Sequence, residues 1–263
     1  MPLLDGKVLI TGASGGIGHA IARAFAGRGA RLILTGRRAN VLEPLAREVG
    51  GRAVACDLSQ RDELERLLAS VGEVDVLVAN AANPGTGALT ELTQEQIDRM
   101  LEVNLRAPIA LARGLAPAMI ARRHGHMVFI SSLSGKAVAP ASAIYSAAKF
   151  GLRGFALGIR EDLRPHGVGV SVVLPGFIRE AGMFAESGVV LPRGVGTKTP
   201  AEVAAGVLRA VERNRAEVEV APLGLRLGAS FASVAPELSA RISRRMGSEK
   251  ISSDLAAGQK SKR

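Results

Sequence analysis

Tryptophan is absent from the 263 residues, and tyrosine and cysteine each occur once. Aromatic residues make up only 3% of a chain that is 47% apolar, so a core here is built from aliphatic side chains. The lone Cys56 excludes an internal disulfide framework and fits a reducing cytoplasm. No apolar run approaches the ~20 residues of a membrane-spanning helix. The N-terminus MPLLDGKVLI lacks the basic-then-apolar order of a secretory leader, so a cytoplasmic location is expected. The shortage of aromatics removes the stacking set used by many nucleic-acid binders, and no nucleic-acid partner is expected. His124 and His126 flank Gly125 with no acid cluster nearby, so no metal centre is expected either.

Acidic residues are outnumbered, and the net charge is +10. Between Arg241 and Arg263 there are seven Lys/Arg against two Asp/Glu, a net +5. Such a run reads as a solvated, flexible tail, with peripheral membrane contact as the alternative.

Short β-rich runs alternate with helical stretches. KVLIT (7–11), RLILT (31–35), RAVAC (52–56), VDVLVAN (74–80), HMVFIS (126–131), GVSVVLP (169–175) and AEVEVA (216–221) read as strands. Helices are expected near 16–28, 39–49, 60–71, 93–103, 108–122, 142–163 and 200–214. The strands are apolar throughout rather than alternating, which suits strands covered on both faces. This predicts an α/β fold, a Rossmann-like doubly wound parallel sheet of about seven strands with helices on both faces. Residues 1–221 form that domain. Residues 176–199 are long, Gly-rich and semi-apolar, and follow a strand's carboxyl end; they are expected to cover substrate. Residues 222–263 are a C-terminal extension. Phe231, Val234, Leu238 and Ile242 line one helical face there, followed by the basic tail.

The first strand runs into TGASGGIG, Thr11 to Gly18. Glycines between a strand and a helix let backbone N–H groups approach a pyrophosphate at the helix N-terminus. Gly12, Gly16 and Gly18 are four and two residues apart, unlike the usual dinucleotide fingerprint. The second strand ends LTGRR. An acid near this point would select a ribose 2′-hydroxyl, whereas a cation suits a 2′-phosphate. Gly36 stands at the acid's place and Arg37 and Arg38 follow, so NADP(H) is favoured, with NAD(H) as the alternative. Asp57, ending the third strand, suits a position near the adenine.

The single tyrosine, Tyr145, lies four residues before Lys149 in IYSAAKF. On a helix the two share a face. A free phenol is too weak a base at neutral pH; a neighbouring ammonium is expected to lower its pKa, which equips it to exchange a proton with an alcohol or carbonyl. Ser132, just past the fifth strand, can hold the substrate oxygen. Asn104, in EVNLR, can bond backbone or water and support a proton relay.

In this order TGASGGIG, VNL, ISSLSG, YSAAK and LPG resemble the short-chain dehydrogenases/reductases of the compact, single-domain type, over about residues 5–221. The resemblance implies a catalytic tetrad of Asn104, Ser132, Tyr145 and Lys149. Tyr145 would be the acid/base, Ser132 would orient the substrate oxygen, Lys149 would bind the nicotinamide ribose and tune the phenol, and Asn104 would hold a relay water. It also implies cofactor contacts from Gly12, Ser14, Gly16, Ile17, Gly18, Arg37, Asp57, Leu58, Asn80, Pro175, Gly176 and Ile178, besides Tyr145 and Lys149. A homodimer or homotetramer built on the helices near 108–122 and 142–163 is implied as well. The chain departs from the family pattern at Ala79 to Ala82, where NNAG reads ANAA, and at Glu180, where many members carry threonine. The expected activity is NADP(H)-dependent interconversion of a secondary alcohol and a ketone or aldehyde. A non-catalytic dinucleotide-binding sensor or scaffold is the alternative, and dehydration or epimerisation on the same fold is a third reading. Phe177, Met183, Phe184, Val189 and Val190 in the covering loop suggest an apolar small-molecule substrate.

Overall fold

The computed structural model describes residues 3–189, 191, 195–245 and 248–259. Among them seven strands form one parallel sheet: β1 Lys7–Thr11, β2 Arg31–Gly36, β3 Arg52–Ala55, β4 Val76–Ala79, β5 His126–Ile130, β6 Gly169–Pro175 and β7 Glu217–Val220. Their order across the sheet is β3-β2-β1-β4-β5-β6-β7. The order in which successive strands join the sheet reverses between β1 and β4, which opens a crevice at their carboxyl ends.

Each strand sends alternate side chains to opposite faces, and both faces are covered. Val8, Ile10, Leu34, Val78 and Val173 pack under α1 (Gly16–Ala26), α2 (Ala39–Glu48) and α7 (Pro200–Glu212). Leu9, Leu77, Phe129, Val172 and Leu174 pack under α3 (Arg61–Val71), α5 (Ala107–Arg122) and α6 (Ala143–Leu163). This accounts for the lack of polar alternation in β1, β2, β4, β5 and β6; at the sheet edges β3 is partly exposed and β7 alternates Glu217 and Glu219 with Val218 and Val220. Burying such a Val, Leu or Ile side chain contributes about 1.5–3 kcal/mol. The aliphatic core thus carries the fold, and Phe129 and Phe155 meet edge-on as one of its few ring contacts.

Two of the expected helices are continuous. α4 (Gln94–Leu101) begins at a Thr93–Gln96 capping box and passes through one wide π turn, Glu102–Arg106, directly into α5. Asn104 sits in that turn.

The C-terminal extension departs from the sequence expectation twice. The apolar face from Phe231 to Ile242 spans two helices, α8 (Leu223–Val234) and α9 (Pro236–Arg245). Pro236 has no N–H to continue the first helix, and it drives Ala235 out of helical geometry, to φ −130° and ψ 68°. Where a flexible tail was expected, Ser248–Gln259 form a further helix, α10. It folds back on the domain. Gln259 is buried; its side chain accepts a hydrogen bond from Thr86 Oγ1 (2.7 Å) and donates to the Met183 carbonyl (3.4 Å). A Cβ on Gly258 would lie 2.3 Å from the Ser187 carbonyl oxygen, so helix and loop backbones touch there. Charge composition is blind to such contacts. The basic residues 260–263 lie outside the described residues.

Candidate active site

The glycine turn sits at the carboxyl end of β1. Gly12 adopts φ +64°, and a Cβ there would lie 2.6 Å from Ala81 Cα. A Cβ on Gly18 would meet the Gly12 carbonyl oxygen at 2.3 Å. Both positions therefore demand glycine, for conformation and for space. Gly15 precedes α1 without a side-chain cap, and no acid occupies the first turn, so the N–H groups of that turn remain available to an anion.

Thr11 and Asn80 brace this turn. The buried Thr11 hydroxyl accepts the N–H groups of Asn80 and Ala81, both at 3.0 Å. The Asn80 amide donates back to the carbonyls of Thr11 (3.0 Å) and Gly12 (3.2 Å). Asn80 thus acts on the turn's shape, and its side-chain donors are already used. The bracing survives the change to Ala79–Ala82 because it needs only Asn80 and backbone. Thr11 was missed in the sequence because a strand-end threonine has no distinctive spacing.

Beyond β2, Gly36 lies against Ser14, whose hydroxyl would sit 3.0 Å from an added Cβ. Arg38 donates to the Ser14 carbonyl at 2.5 Å. Arg37 is exposed and forms no hydrogen bond or salt bridge among the described residues. Asp57 is held by Ser59 N–H, Ser59 Oγ and, at 3.0 Å, by Arg99 from α4. Burial pushes its carboxyl up, but the Ser59 bonds and the Arg99 and Arg37 charges outweigh this and leave it below its ordinary value. The side chain of Leu58 is buried in the core, so only its backbone can face a ligand. Cys56 is buried, and burial with the neighbouring Glu63 and Asp57 pushes its thiol up to about 11. It is a core residue and not a nucleophile.

Past β6, Pro175 is buried in the strand end and Gly176 N–H bonds the Val220 carbonyl (3.0 Å). Ile178 is buried beneath the loop and pairs with Lys198, which pins the covering loop at its base. The loop crosses above the glycine turn. Ala181 Cβ lies only 2.1 Å from where a Cβ on Gly16 would be, and Gly182 packs on Ile17. Glu180 adopts φ +74° and points to solvent beside Arg179. It therefore does not stand in for the family's threonine. Phe177 and Phe184 meet at 5.0 Å between ring centres; Val190 lies outside the described residues.

Ser132, Tyr145 and Lys149 converge at the end of β5. Ser132 accepts Ser134 N–H, and its hydroxyl beside the Tyr145 phenol favours the ionised phenol. Lys149 is 2% exposed, donates from Nζ to the Ile130 carbonyl (2.9 Å) and lies 5.6 Å from the Tyr145 ring centre. Ser131 Oγ donates to the Lys149 carbonyl, tying α6 to the strand end (2.9 Å). Asn104 is fully buried. Its amide exchanges two hydrogen bonds with the backbone of Asn83, at 2.7 and 2.9 Å. The side chain is thus satisfied by backbone, and it fixes the loop after β4 rather than reaching the tyrosine. Asn83 lacked any sequence signal because its backbone, not its side chain, makes the contact.

One expectation is reversed. Burial pushes the half-buried phenol up to about 12, against the opposing effect of the Ser132 hydroxyl. Burial also brings Lys149 down to about 8. Loss of water opposes both charged forms, and the ammonium is turned toward the Ile130 carbonyl.

Among the described residues, no group of three or more His, Cys, Asp or Glu is placed to hold a metal. His126 is buried against Ser171 (2.8 Å), and burial brings its imidazole down to about 3. No helix among them is long and apolar enough to cross a membrane.

Residues 6–188 match the family model described as short chain dehydrogenase. The chain is 34% identical over 259 residues to dehydrogenase/reductase SDR family member 7B of Xenopus tropicalis, covering 90% of this chain and 84% of that protein. It is 36% identical over 230 residues to ketoacyl reductase HetN of Nostoc sp., covering 84% of this chain and 80% of that one. Among solved structures it resembles a short-chain dehydrogenase from Sphingobium yanoikuyae in complex with NADPH. That match has a TM-score of 0.77 and 29% identity, over 89% of this chain and 95% of the other.

Proposed function

The chain belongs to the short chain dehydrogenase family, and from that premise we propose that it is an NADP(H)-dependent oxidoreductase interconverting a secondary alcohol and a ketone or aldehyde. The observation that carries this reading is the convergence of Ser132, Tyr145 and Lys149 beside the glycine turn, at one sheet edge. The turn suits a dinucleotide: Gly12 and Gly18 permit the tight strand-to-helix passage that gathers backbone N–H groups, and α1 offers an uncapped N-terminus. Gly12, Gly16, Ile17 and Gly18 would hold the pyrophosphate. Arg37 would grip the 2′-phosphate, and Asp57 and the Leu58 backbone would face the adenine. Pro175, Gly176 and Ile178 would shape the nicotinamide end.

The bound nicotinamide supplies or accepts the hydride. The protein's own residues handle the proton. Ser132 holds the substrate oxygen in the same hydrogen-bonding reach as Tyr145. A phenol pushed up to about 12 is protonated at neutral pH, the form that gives a proton to a carbonyl oxygen. Lys149 stabilises negative charge that develops on the phenol, and Asn104 fixes the loop that borders the cleft. The apolar Phe177, Met183 and Phe184 on the covering loop favour an apolar substrate. We also propose a homodimer or homotetramer in the cytoplasm.

The test is a panel of ketones and alcohols with NADPH, NADH and their oxidised forms, followed at the nicotinamide absorbance. Reduction of an apolar ketone with NADPH is expected. NADPH binding without turnover of any member would favour the scaffold reading.

A further inference from the structure

α8 and α9 carry an apolar face that nothing in the described chain covers. Leu223, Leu227, Phe231 and Val234 are 65%, 62%, 41% and 86% exposed. Their spacings of four, four and three place them within about 80° of arc on α8. On α9, Leu238 and Ile242 stand four residues apart on one face and are also exposed. The opposite side of α8 is the anchored one. Ala229 is buried, and Ser233 donates to the Lys136 carbonyl (2.9 Å), in the loop that follows Ser132.

Arginines fringe the stripe. Arg241 and Arg245 flank the Leu238–Ile242 line, and Arg244 lies farther round α9. None of the three has a salt bridge or hydrogen bond among the described residues. Arg226 on α8 is already matched by Glu219 at 2.9 Å. Glu237 is the only acid in α8 and α9, against these four arginines.

We propose that this face docks the protein on the surface of a membrane containing anionic phospholipid, without crossing it. The two helices have 12 and 10 residues, too short to span a bilayer but suited to lying in its interface. Acyl chains take the leucines and Phe231. Headgroup phosphates take the unmatched arginines, whose aliphatic stems run along the apolar stripe. A second copy of this chain is a poorer occupant. A self-contact would bring unmatched arginines together in a chain of net charge +10, and would remove them from water without partners. Docking on lipid places the loop after Ser132 next to the membrane surface. The inference does not depend on the redox reading, since membrane binding is scored without turnover.

The experiment is flotation of the purified full chain with vesicles of phosphatidylcholine alone or with phosphatidylglycerol added. Binding to the anionic vesicles is expected, with loss at about 0.5 M salt. Leu227→Glu/Phe231→Glu should weaken it by at least roughly tenfold, while the thermal melt followed by circular dichroism is kept. Arg241→Gln/Arg245→Gln, on the exposed fringe, should weaken binding to anionic vesicles only, and serves if the first variant fails to fold. Two results overturn the proposal. One is no flotation with anionic vesicles. The other is flotation that neither variant changes. Loss of a dimer in sedimentation velocity, without any vesicle binding, would assign the face to a second copy instead.

Discussion

Replacing Tyr145 by Phe removes one oxygen from the half-buried α6 helix and leaves the ring in place. The phenol stands at about 12, so at pH 7 it is held in the proton-donating form by about five pH units. A ketone oxygen bound at Ser132 would lose its acid. Removal of a general acid of this kind lowers turnover by ~10²–10⁴, or about 3–5 kcal/mol of barrier. Ser132 and Lys149 keep their contacts to Ser134 and to the Ile130 carbonyl, so cofactor affinity should change by less than about twofold. The pH profile adds a second check. Lys149 is brought down to about 8. Below that pH it is charged and supports the charge that grows on the phenol; above it, that support is lost. Reduction measured as kcat/KM should be flat to about pH 8 and then fall in the parent enzyme. The assays are initial rates at the nicotinamide absorbance and NADPH titration by fluorescence. Turnover within tenfold of the parent would refute the acid role of Tyr145. A parallel loss of NADPH binding would make the residue structural.

Arg37→Ala should weaken NADPH by roughly 10–100-fold and leave NADH nearly unchanged, since it removes charge-assisted hydrogen bonds to one phosphate; equal losses in titrations with the two cofactors would remove the 2′-phosphate role. Truncation before residue 247 removes α10 and the Gln259 bridge between Thr86 and Met183. It should raise KM for an apolar ketone by at least roughly fivefold with NADPH affinity kept, and an unchanged KM would show that α10 does not shape the cleft. His126, at about 3 in the fold against 6.5 unfolded, makes stability fall as pH drops from 6.5 towards 3, because only the unfolded chain takes up the proton. The slope is about 1.4 kcal/mol per pH unit over that window. Urea melts of His126→Gln against the parent should show a flatter acid limb.

The sheet was legible in the sequence because its central strands are almost wholly apolar, as strands buried on both faces must be; the edge strand β7, which alternates Glu and Val, was legible from its period of two instead. The glycine turn was legible for a related reason. Gly12 needs positive φ and Gly18 has no room for a Cβ, so the residue type reports the geometry. Tyr145 and Lys149 were legible from helical spacing, and Ser132 from its place at a strand end. The direction of the phenol's shift was not. Spacing puts an ammonium near a phenol, but only packing tells how much water both have lost and that Lys149 bonds the Ile130 carbonyl. Asn104 illustrates the same limit. Its chemistry allowed backbone or water, and the π turn at Glu102–Arg106 aims it at the backbone of Asn83.

By itself, the order of residues determined the doubly wound architecture, the turn that suits a dinucleotide and the side chains proposed to handle the proton. These depend on local rules: which residues alternate, which tolerate positive φ, which share a helical face. Only the tertiary structure decided the fate of the C-terminal extension. Its charge suggested a tail, yet α10 closes on the loop above the glycine turn, and Pro236 splits the expected helix so that α8 and α9 present their leucines outward. Such contacts join residues more than 150 positions apart, as Thr86 and Gln259 are, and no local pattern encodes a partner at that distance.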